Sequence, residues 1–589
     1  MTFQAWFAVA VAGLCLLGLA QRRGSPDVVM VGGVTLLLVA GVLTPEEALS
    51  GLANEGVVTV AVLYVVVSGL SETGAVGWIV RSVLGRPRGL RHGQMRLMAP
   101  VAVLSAFLNN TPVVALFIPA VREWARRHRL SLSRFMIPLS FASIAGGTCT
   151  LIGTSTNLVV NGMLVESAGG AGLTLFEPAW VGVPVVVTVL LYLLAFGRWL
   201  LPERVPVLDP SADARQYTTE MTVEPDSPLV GRSIEEAGLR QLPGLFLMEV
   251  ERQGEVLAAV APHTRLHARD RLVFVGVLDS IVDLHHLRGL QPAGKQVFKL
   301  DCERGDRHLV EAVVSDSCPV VGKTVREGRF RTRYSAVIIA VARNGQRVPG
   351  KIGDVVLRPG DTLLLEARPS FLEQQRNSRD FYLVSPLRDH LPVRYDRALV
   401  ALAITGTMVG SVALGWLSML PAAMLAAGLM ILTRCTRGRI ARRAVDWQVL
   451  VVIAAAFGIG AALEKTGAAR VLAESLVALA GGEPWTALAL VFAATAVLTA
   501  LATNNAAAVL MFPIAWASAQ RLGVDALPFA VTIMVAASAS FATPIGYQTN
   551  LMVYGVGGYR FSDFVRVGLP LTVLVGAVTV GLVPWIWRF

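Results

Sequence analysis

The chain has 589 residues, of which 54% are hydrophobic and only 16% charged, and its mean hydropathy is +0.59. Soluble chains average about 45–50% apolar and about 25% charged residues, so this composition excludes a disordered protein and a purely soluble enzyme. The net charge of +11 does not point to nucleic acid, because the Arg clusters lie between apolar runs, where a positive-inside bias accounts for them.

Apolar runs near the length that spans a bilayer place spans at about 4–20, 27–44 and 56–80. The first run has no basic segment before it and reads as a span, not a cleaved leader. A stretch at 98–121 is broken at Asn109–Pro112, one at 135–165 is broken at Gly146–Thr156, and a span follows at 180–201. The second half repeats this pattern. Spans at 398–415, 418–433 and 446–463 precede a stretch at 486–518 broken at Thr503–Asn505. One at 526–556 is broken at Thr543–Thr549, and a last span covers 568–587. Of the 93 charged residues, residues 1–201 hold 21 and 397–589 hold 18, so the other 54 lie between. That middle segment has the charge density of a soluble domain.

The halves share blocks of sequence. Leu70-Ser71-Glu72-Thr73-Gly74-Ala75 recurs as Leu463-Glu464-Lys465-Thr466-Gly467-Ala468, 393 residues later. Asn109-Asn110 with Phe117-Ile118-Pro119 recurs as Asn504-Asn505 with Phe512-Pro513. Thr150-Leu151-Ile152-Gly153 and Thr156-Asn157-Leu158 recur as Thr543-Pro544-Ile545-Gly546 and Thr549-Asn550-Leu551, again at 393. Placing the clusters Arg22/Arg23, Arg81–Arg96, Arg122–Arg134 and Arg434–Arg443 in the cytoplasm with the insert makes 98–121 a re-entrant hairpin from inside. The acidic loop Glu46, Glu47 and Glu55 then lies outside, as do both termini, and the hairpin 486–518 enters from outside. Inverted repeats with broken helices place a transport site at the midplane. The fold class is thus an α-helical polytopic membrane protein of two inverted repeats, with a cytoplasmic α+β insert.

The expected division is 1–201, 202–304, 305–396 and 397–589. Inside the insert, Leu229-Val230-Gly231-Arg232-Ser233 and Val320-Val321-Gly322-Lys323-Thr324 are 91 apart, as are Arg269-Asp270 and Gly360-Asp361. Strands are expected at Leu245–Val250, Leu272–Val275, Ala336–Val341 and Thr362–Glu366. Each unit, about 216–292 and 305–386, also carries a short helix near its Gly motif. No GxGxxG follows a strand, which argues against a dinucleotide site. The five Cys (15, 149, 302, 318 and 435) show no ligand spacing, so neither a disulfide framework nor a zinc site is expected.

Irregular backbone at membrane depth is tolerated only where it is buried in protein or lines a cavity. Two Asn-Asn tips and two Thr-x-x-Asn breaks therefore point to a polar chamber. Carbonyls, hydroxyls and amide oxygens suit a hard cation such as sodium. Helix N-termini and neutral donors suit an anion. The breaks contain no Arg, Lys or His, which fits symport with co-bound cations. Glu72 and Glu464 are the candidates for proton coupling, and they also read as helix-end residues.

These motifs resemble those of the divalent anion:sodium symporter family, the sodium/sulfate and sodium/dicarboxylate carriers. That family has a Ser-Asn-Thr motif at each hairpin tip and a Gly-Thr-Pro-Pro-Asn-like break after it. Here Asn109-Asn110-Thr111 and Asn504-Asn505-Ala506 stand at the tips, and Gly153-Thr154-Ser155-Thr156-Asn157 and Gly546-Tyr547-Gln548-Thr549-Asn550 at the breaks. The insert resembles two RCK C-terminal (TrkA-C) domains. The resemblance implies a first sodium site of Ser105, Asn110 and backbone near Gly153, with Asn157 close. It implies a second of backbone near Ala500 and Gly546, with Asn505 and Asn550 close. It puts the anion against Asn109, Asn110, Thr111, Thr154, Asn504, Asn505 and Tyr547. Asn replaces Ser at both tips, Ala506 replaces Thr, and the Pro pair is absent. The Gly-Thr-Ser-Thr-Asn break with an RCK insert resembles the members assigned to sulfate. The implied protein is a homodimeric plasma-membrane symporter of sodium and a small inorganic dianion, with an elevator-type transport domain. Alternatives are a dicarboxylate symporter and a proton-coupled carrier. Remoter are RCK-gated potassium transport, since Thr543–Tyr547 is similar to a filter sequence, and a sensor binding nucleotide phosphate through Arg265, Arg269, Arg343 and Arg347.

Overall fold

The structure, a computed structural model, describes residues 2–21, 25–75, 84–85, 87–128, 130–168, 172–204, 218–239, 245–252, 255–258, 263–276, 289–292, 308–343, 346–350, 352–367, 371, 374–375, 378, 380–386 and 396–589. They form two compact units, 1–205 with 391–589, and 206–390. Arg22, Arg23, Arg81, Arg86, Arg129, Cys302 and residues 76–80 of the third expected span lie outside the described residues.

The first half of the larger unit opens with α1 (Phe3–Gln21), α2 (Pro26–Val39), α3 (Pro45–Ala53) and α4 (Glu55–Glu72). A hairpin of α5 (Leu90–Phe107) and α6 (Asn110–Arg127) follows, then α7 (Ser133–Gly147), a non-helical break, α8 (Ser155–Ala168) and α9 (Ala179–Leu200). The acidic segment expected to be a loop is α3. Thr44 accepts from the Glu47 amide at 3.3 Å, while Glu47 accepts from the Thr44 amide at 2.7 Å. That capping box, with Pro45 in the first turn, starts a helix. The extended Asn54 then separates α3 from α4.

Among the described residues, the second unit holds two five-stranded antiparallel sheets. In the first, β1 (Thr218–Val223), β2 (Leu245–Arg252), β3 (Glu255–Ala258), β4 (Arg271–Gly276) and β5 (Leu290–Pro292) lie in the order β3-β2-β4-β1-β5. The second contains β6 (His308–Val314), α10 (Phe330–Tyr334), β7 (Ala336–Arg343), β8 (Gln346–Arg347), β9 (Thr362–Ala367) and β10 (Phe381–Pro386). Its order, β10-β6-β9-β7-β8, is the same arrangement strand for strand. The register slips at Leu247/Glu249 and again at Ile338/Ala340, 91 residues on. Gly231 and Gly322 turn at φ of 83° and 77°, a region that Gly enters without strain. Arg252 makes paired bonds to buried Asp270 at 2.9 and 2.8 Å, and Arg343 makes the same pair to Asp361 at 2.7 Å. Arg343, which the remoter sensor reading would assign to a phosphate, is thus committed to the fold. In each sheet the arginine also donates to a backbone carbonyl, of Arg265 or Val356.

The second half of the larger unit runs α11 (Ala398–Ala413), α12 (Met419–Leu432), α13 (Gly438–Ala444), α14 (Trp447–Lys465) and α15 (Ala468–Leu479). A hairpin of α16 (Pro484–Leu501) and α17 (Asn504–Leu522) follows, then α18 (Leu527–Ser538), a break, α19 (Gln548–Val556) and α20 (Phe561–Ile586). The order of the first half recurs, and the packing exchanges partners. α4 packs on α12 and α13, while its counterpart α14 packs on α2 and α3. Likewise α7 packs on α19, and α8 on α18. Among the described residues, five segments are long and apolar enough to cross a membrane: Pro45–Glu72, Ala179–Leu200, Trp447–Lys465, Pro484–Leu501 and Phe561–Ile586. α5 and α7 approach closely because Gly146 lacks a side chain; a Cβ there would meet the Ala102 carbonyl oxygen at 2.2 Å.

Candidate substrate site

The tips and breaks are built from groups that satisfy interrupted helix ends. At the first tip, Asn109 is the residue before α6, and Asn110 already begins that helix, with Pro112 in the first turn, where it forfeits no bond. At the second, Thr503 precedes α17 and accepts from the Ala506 amide at 3.4 Å. The two breaks share one scaffold. Asn157 Nδ2 donates to the carbonyls of Gly147 at 3.2 Å and Thr150 at 2.8 Å. Asn550 Nδ2 donates to those of Ser540 at 2.7 Å and Thr543 at 3.0 Å. All three positions are offset by 393. Thr150 Oγ1 takes the Gly153 amide, and Thr543 Oγ1 the Gly546 amide, both at 3.2 Å. These side chains supply the partners that a helix end inside a membrane lacks.

The halves then meet tip to break. Asn110 Nδ2 donates to Tyr547 Oη at 2.5 Å, and Thr111 Oγ1 to Gln548 Oε1 at 3.0 Å. Thr154 Oγ1 lies 3.5 Å from the same phenol oxygen. Asn505 Oδ1 accepts from Thr156 at 3.1 Å and Ser155 at 3.2 Å. The N-termini of α6, α8, α17 and α19 are thereby gathered. Each is equivalent to about half an elementary positive charge, so the four together present about two. No Asp, Glu, Lys, Arg or His occurs in 105–111, 147–157, 499–506 or 540–550.

An oxygen-rich nest backs each tip. In the first, Ser105 Oγ donates to Asn110 Oδ1 at 2.5 Å and lies 2.9 Å from Ser143 Oγ. A Cβ on Gly147 would stand 2.6 Å from Asn110 Oδ1, and one on Gly153 2.5 Å from the Gly147 oxygen and 2.9 Å from that of Ser105. Asn157 Oδ1 is buried and has no hydrogen-bond partner. In the second nest, Thr499 Oγ1 lies 3.0 Å from Asn504 Oδ1 and 2.7 Å from the Ala537 carbonyl oxygen, two acceptors for its single proton. A Cβ on Gly546 would meet Ser540 Oγ, the Thr499 oxygen and Thr543 Oγ1. Clustered hydroxyl, amide and carbonyl oxygens are the donor set of a hard cation.

A citrate transporter (CitMHS) family profile matches residues 16–533 and 459–589. The chain belongs to the citrate transporter family. It is 38% identical to a Chlamydomonas reinhardtii protein named "Putative sulfur deprivation response regulator", over 94% of this chain and 97% of that one. It is 33% identical to an uncharacterized transporter of Synechocystis, over 94% and 92% of the two chains. It is 28% identical to sodium/sulfate cotransporter 1 of C. reinhardtii, over 97% and 89%. This citrate-transporter family member is a secondary transporter of anions embedded in a membrane, not an enzyme.

Within that family frame, most residues singled out from sequence come together. Asn110, Thr111, Thr154, Asn505 and Tyr547 form the tip-to-break contacts, and Ser105, Gly153, Asn157, Gly546 and Asn550 form the nests and scaffolds. The two asparagines of the second tip divide the work. Asn504 faces Thr499 in the nest, where the Thr499 carbonyl stands beside Gly546 within the backbone expected near Ala500, and Asn505 faces the first half. Asn109 is half-buried and caps nothing with its side chain. Reasoning from sequence missed Thr499, Ser143, Ser155, Gln548 and Ser540. The spacing could have found Thr499, because it stands five residues before Asn504 as Ser105 does before Asn110. Glu72 and Glu464 are exposed at helix ends, away from the tips and breaks.

Proposed function

We propose that this carrier is a symporter of sodium and a small divalent anion, with sulfate as the principal substrate. The observation that carries the reading is the meeting of four helix N-termini with neutral side chains only. Their summed dipole, about two positive charges, matches a dianion without a fixed cation. The Ser105/Asn110 and Thr499/Asn504 nests would hold the sodium ions beside it. Their charge offsets that of the anion, so cargo crosses the low-dielectric layer as a near-neutral group. The sodium/sulfate cotransporters among the C. reinhardtii relatives supply sulfate and sodium. The family description supplies the second reading, the tricarboxylate citrate as cargo, beside the dicarboxylate that the sequence motifs imply.

The recurring element order and the exchanged packing support two inverted repeats, with the tips and breaks in a moving transport domain and the other spans in a dimer scaffold. The duplicated sheets support a tandem RCK-C insert on the cytoplasmic side, acting on transport by linkage through whatever ligand it prefers in one state. The test is uptake of labelled sulfate into proteoliposomes with and without an inward sodium gradient, with succinate and citrate as competitors. Sodium-dependent uptake, lost in Asn110→Ala and Asn505→Ala and resistant to both carboxylates, is expected. Uptake abolished by carboxylates moves the reading to them, and absence of sodium-dependent flux of any of the three overturns symport.

A further inference from the structure

We infer that Tyr547 and Gln548 form a size filter that restricts the site to compact oxyanions, an inference that rests on the anion site proposed above. The two breaks repeat at an offset of 393, so Tyr547 stands where the first break has Thr154, and Gln548 where it has Ser155. The scaffold around these positions is matched: the Asn157 and Asn550 bonds, the Thr150 and Thr543 turns, and the start of a helix. Between Gly153/Gly546 and Asn157/Asn550, only the two side chains facing the other half differ, and each is much larger in the second break.

The difference has a visible effect on the contacts. The Tyr547 phenol reaches across to Asn110 and Thr154, standing between the first tip and the first break. Its ring is buried, and its hydroxyl ties both walls together. Gln548 extends beside it to Thr111, the next residue of the same tip. On the other side, the short Ser155 and Thr156 meet Asn505 directly, and no aromatic ring intervenes. The site is therefore lopsided. One flank is occupied by a phenol and a carboxamide, and the anion is left the flank formed by Ser155, Thr156 and Asn505, still within the field of the four gathered N-termini. A tetrahedral oxyanion needs one cluster of donors. An extended dicarboxylate needs two separated clusters, and Tyr547 with Gln548 occupies the second.

The experiment makes the second break a copy of the first with Tyr547→Thr/Gln548→Ser. Succinate and unlabelled sulfate compete against labelled sulfate uptake, and each anion's effect on the melting temperature of the purified protein is measured. In the wild type, sulfate competes and raises the melting temperature while succinate does neither. In the double variant, the succinate concentration that halves uptake falls at least about tenfold relative to that of sulfate, about 1.4 kcal/mol in relative binding. Tyr547→Phe keeps the ring and loses the hydroxyl, so it weakens sulfate uptake yet still excludes succinate. If the double variant does not transport, the melting shifts and the single variants Tyr547→Thr and Gln548→Ser decide, each expected to raise the succinate-to-sulfate ratio. Wild-type protein that accepts succinate as readily as sulfate, or variants that keep the wild-type ratio, overturns the filter. The melting shifts require no sodium-driven flux, so failure of symport and failure of the filter are told apart.

Discussion

Asn157 and Asn550 provide a matched pair for testing how the breaks are held. Each carboxamide NH2 donates to two carbonyls at the ends of an interrupted helix. Truncation to Ala removes two bonds worth roughly 0.5–1.5 kcal/mol each and strands buried carbonyls, so either substitution should cost about 2–3 kcal/mol. The acceptor sides differ. Asn550 Oδ1 accepts from Ser140 at 2.7 Å, whereas Asn157 Oδ1 has no partner. Asn550→Ala should therefore be the more damaging by about 1 kcal/mol. A double-mutant cycle isolates that bond: Ser140→Ala should couple to Asn550→Ala by about 1 kcal/mol and to Asn157→Ala by close to nothing. Unfolding of the detergent-solubilised protein is followed in choline buffer, so that sodium binding does not contribute. Equal costs, a larger cost at Asn157, or equal coupling of Ser140 to both would refute the reasoning.

Gly146→Ala puts a methyl 2.2 Å from the Ala102 carbonyl oxygen and should cost about 3 kcal/mol and abolish sulfate uptake. Gly428→Ala, with nothing within 4 Å, should change the melting temperature and uptake little. In the insert, Arg343→Ala leaves buried Asp361 without its paired bonds and should destabilise that unit by about 3 kcal/mol, read as faster proteolysis of the insert in the intact protein. Arg343→Lys should rescue only part of this, because an ammonium cannot make the fork. The Glu327 carboxyl lies below its ordinary 4.5, chiefly because the Thr324 amide donates to it. Its contribution is present above 4.5 and lost as the pH falls through the lower folded value, so Glu327→Gln should flatten the acid sensitivity of the insert.

How much was legible in the sequence follows from what each signal measures. Charge density marks the insert, because a membrane span cannot carry it. The 393 offset marks both breaks, because Thr150, Asn157, Thr543 and Asn550 perform one job twice. The helix at Pro45–Ala53 escaped notice because its acidic residues suggest a loop, although Thr44-Pro45-Glu46-Glu47 is a helix start. The two asparagines of the second tip are harder to tell apart. Aligning Asn109-Asn110 with Asn504-Asn505 uses an offset of 395, and it hides that Asn110 has two counterparts. Asn504 matches its bond to Ser105, and Asn505 matches its reach to the other half. Arg343 looked like surface charge because sequence does not show that its fork is filled by an aspartate 18 residues later.

The absence of formal charge from the tips and breaks bears on turnover as well as recognition. An arginine facing the anion would bind it strongly, but when the anion left it would remain as an uncompensated charge in a low-dielectric layer, at a cost of several kcal/mol. Helix termini carry only partial charge, and their side chains can bond to one another. Asn110 to Tyr547, Thr111 to Gln548 and Asn505 to Ser155 are such bonds. On the symport reading these contacts belong to the state without anion, and the Asn505 amide and Ser155 hydroxyl are the donors that the anion would recruit. A carrier built this way changes its charge only with its cargo. It can then recross the membrane without the anion, and it must do so to begin another cycle.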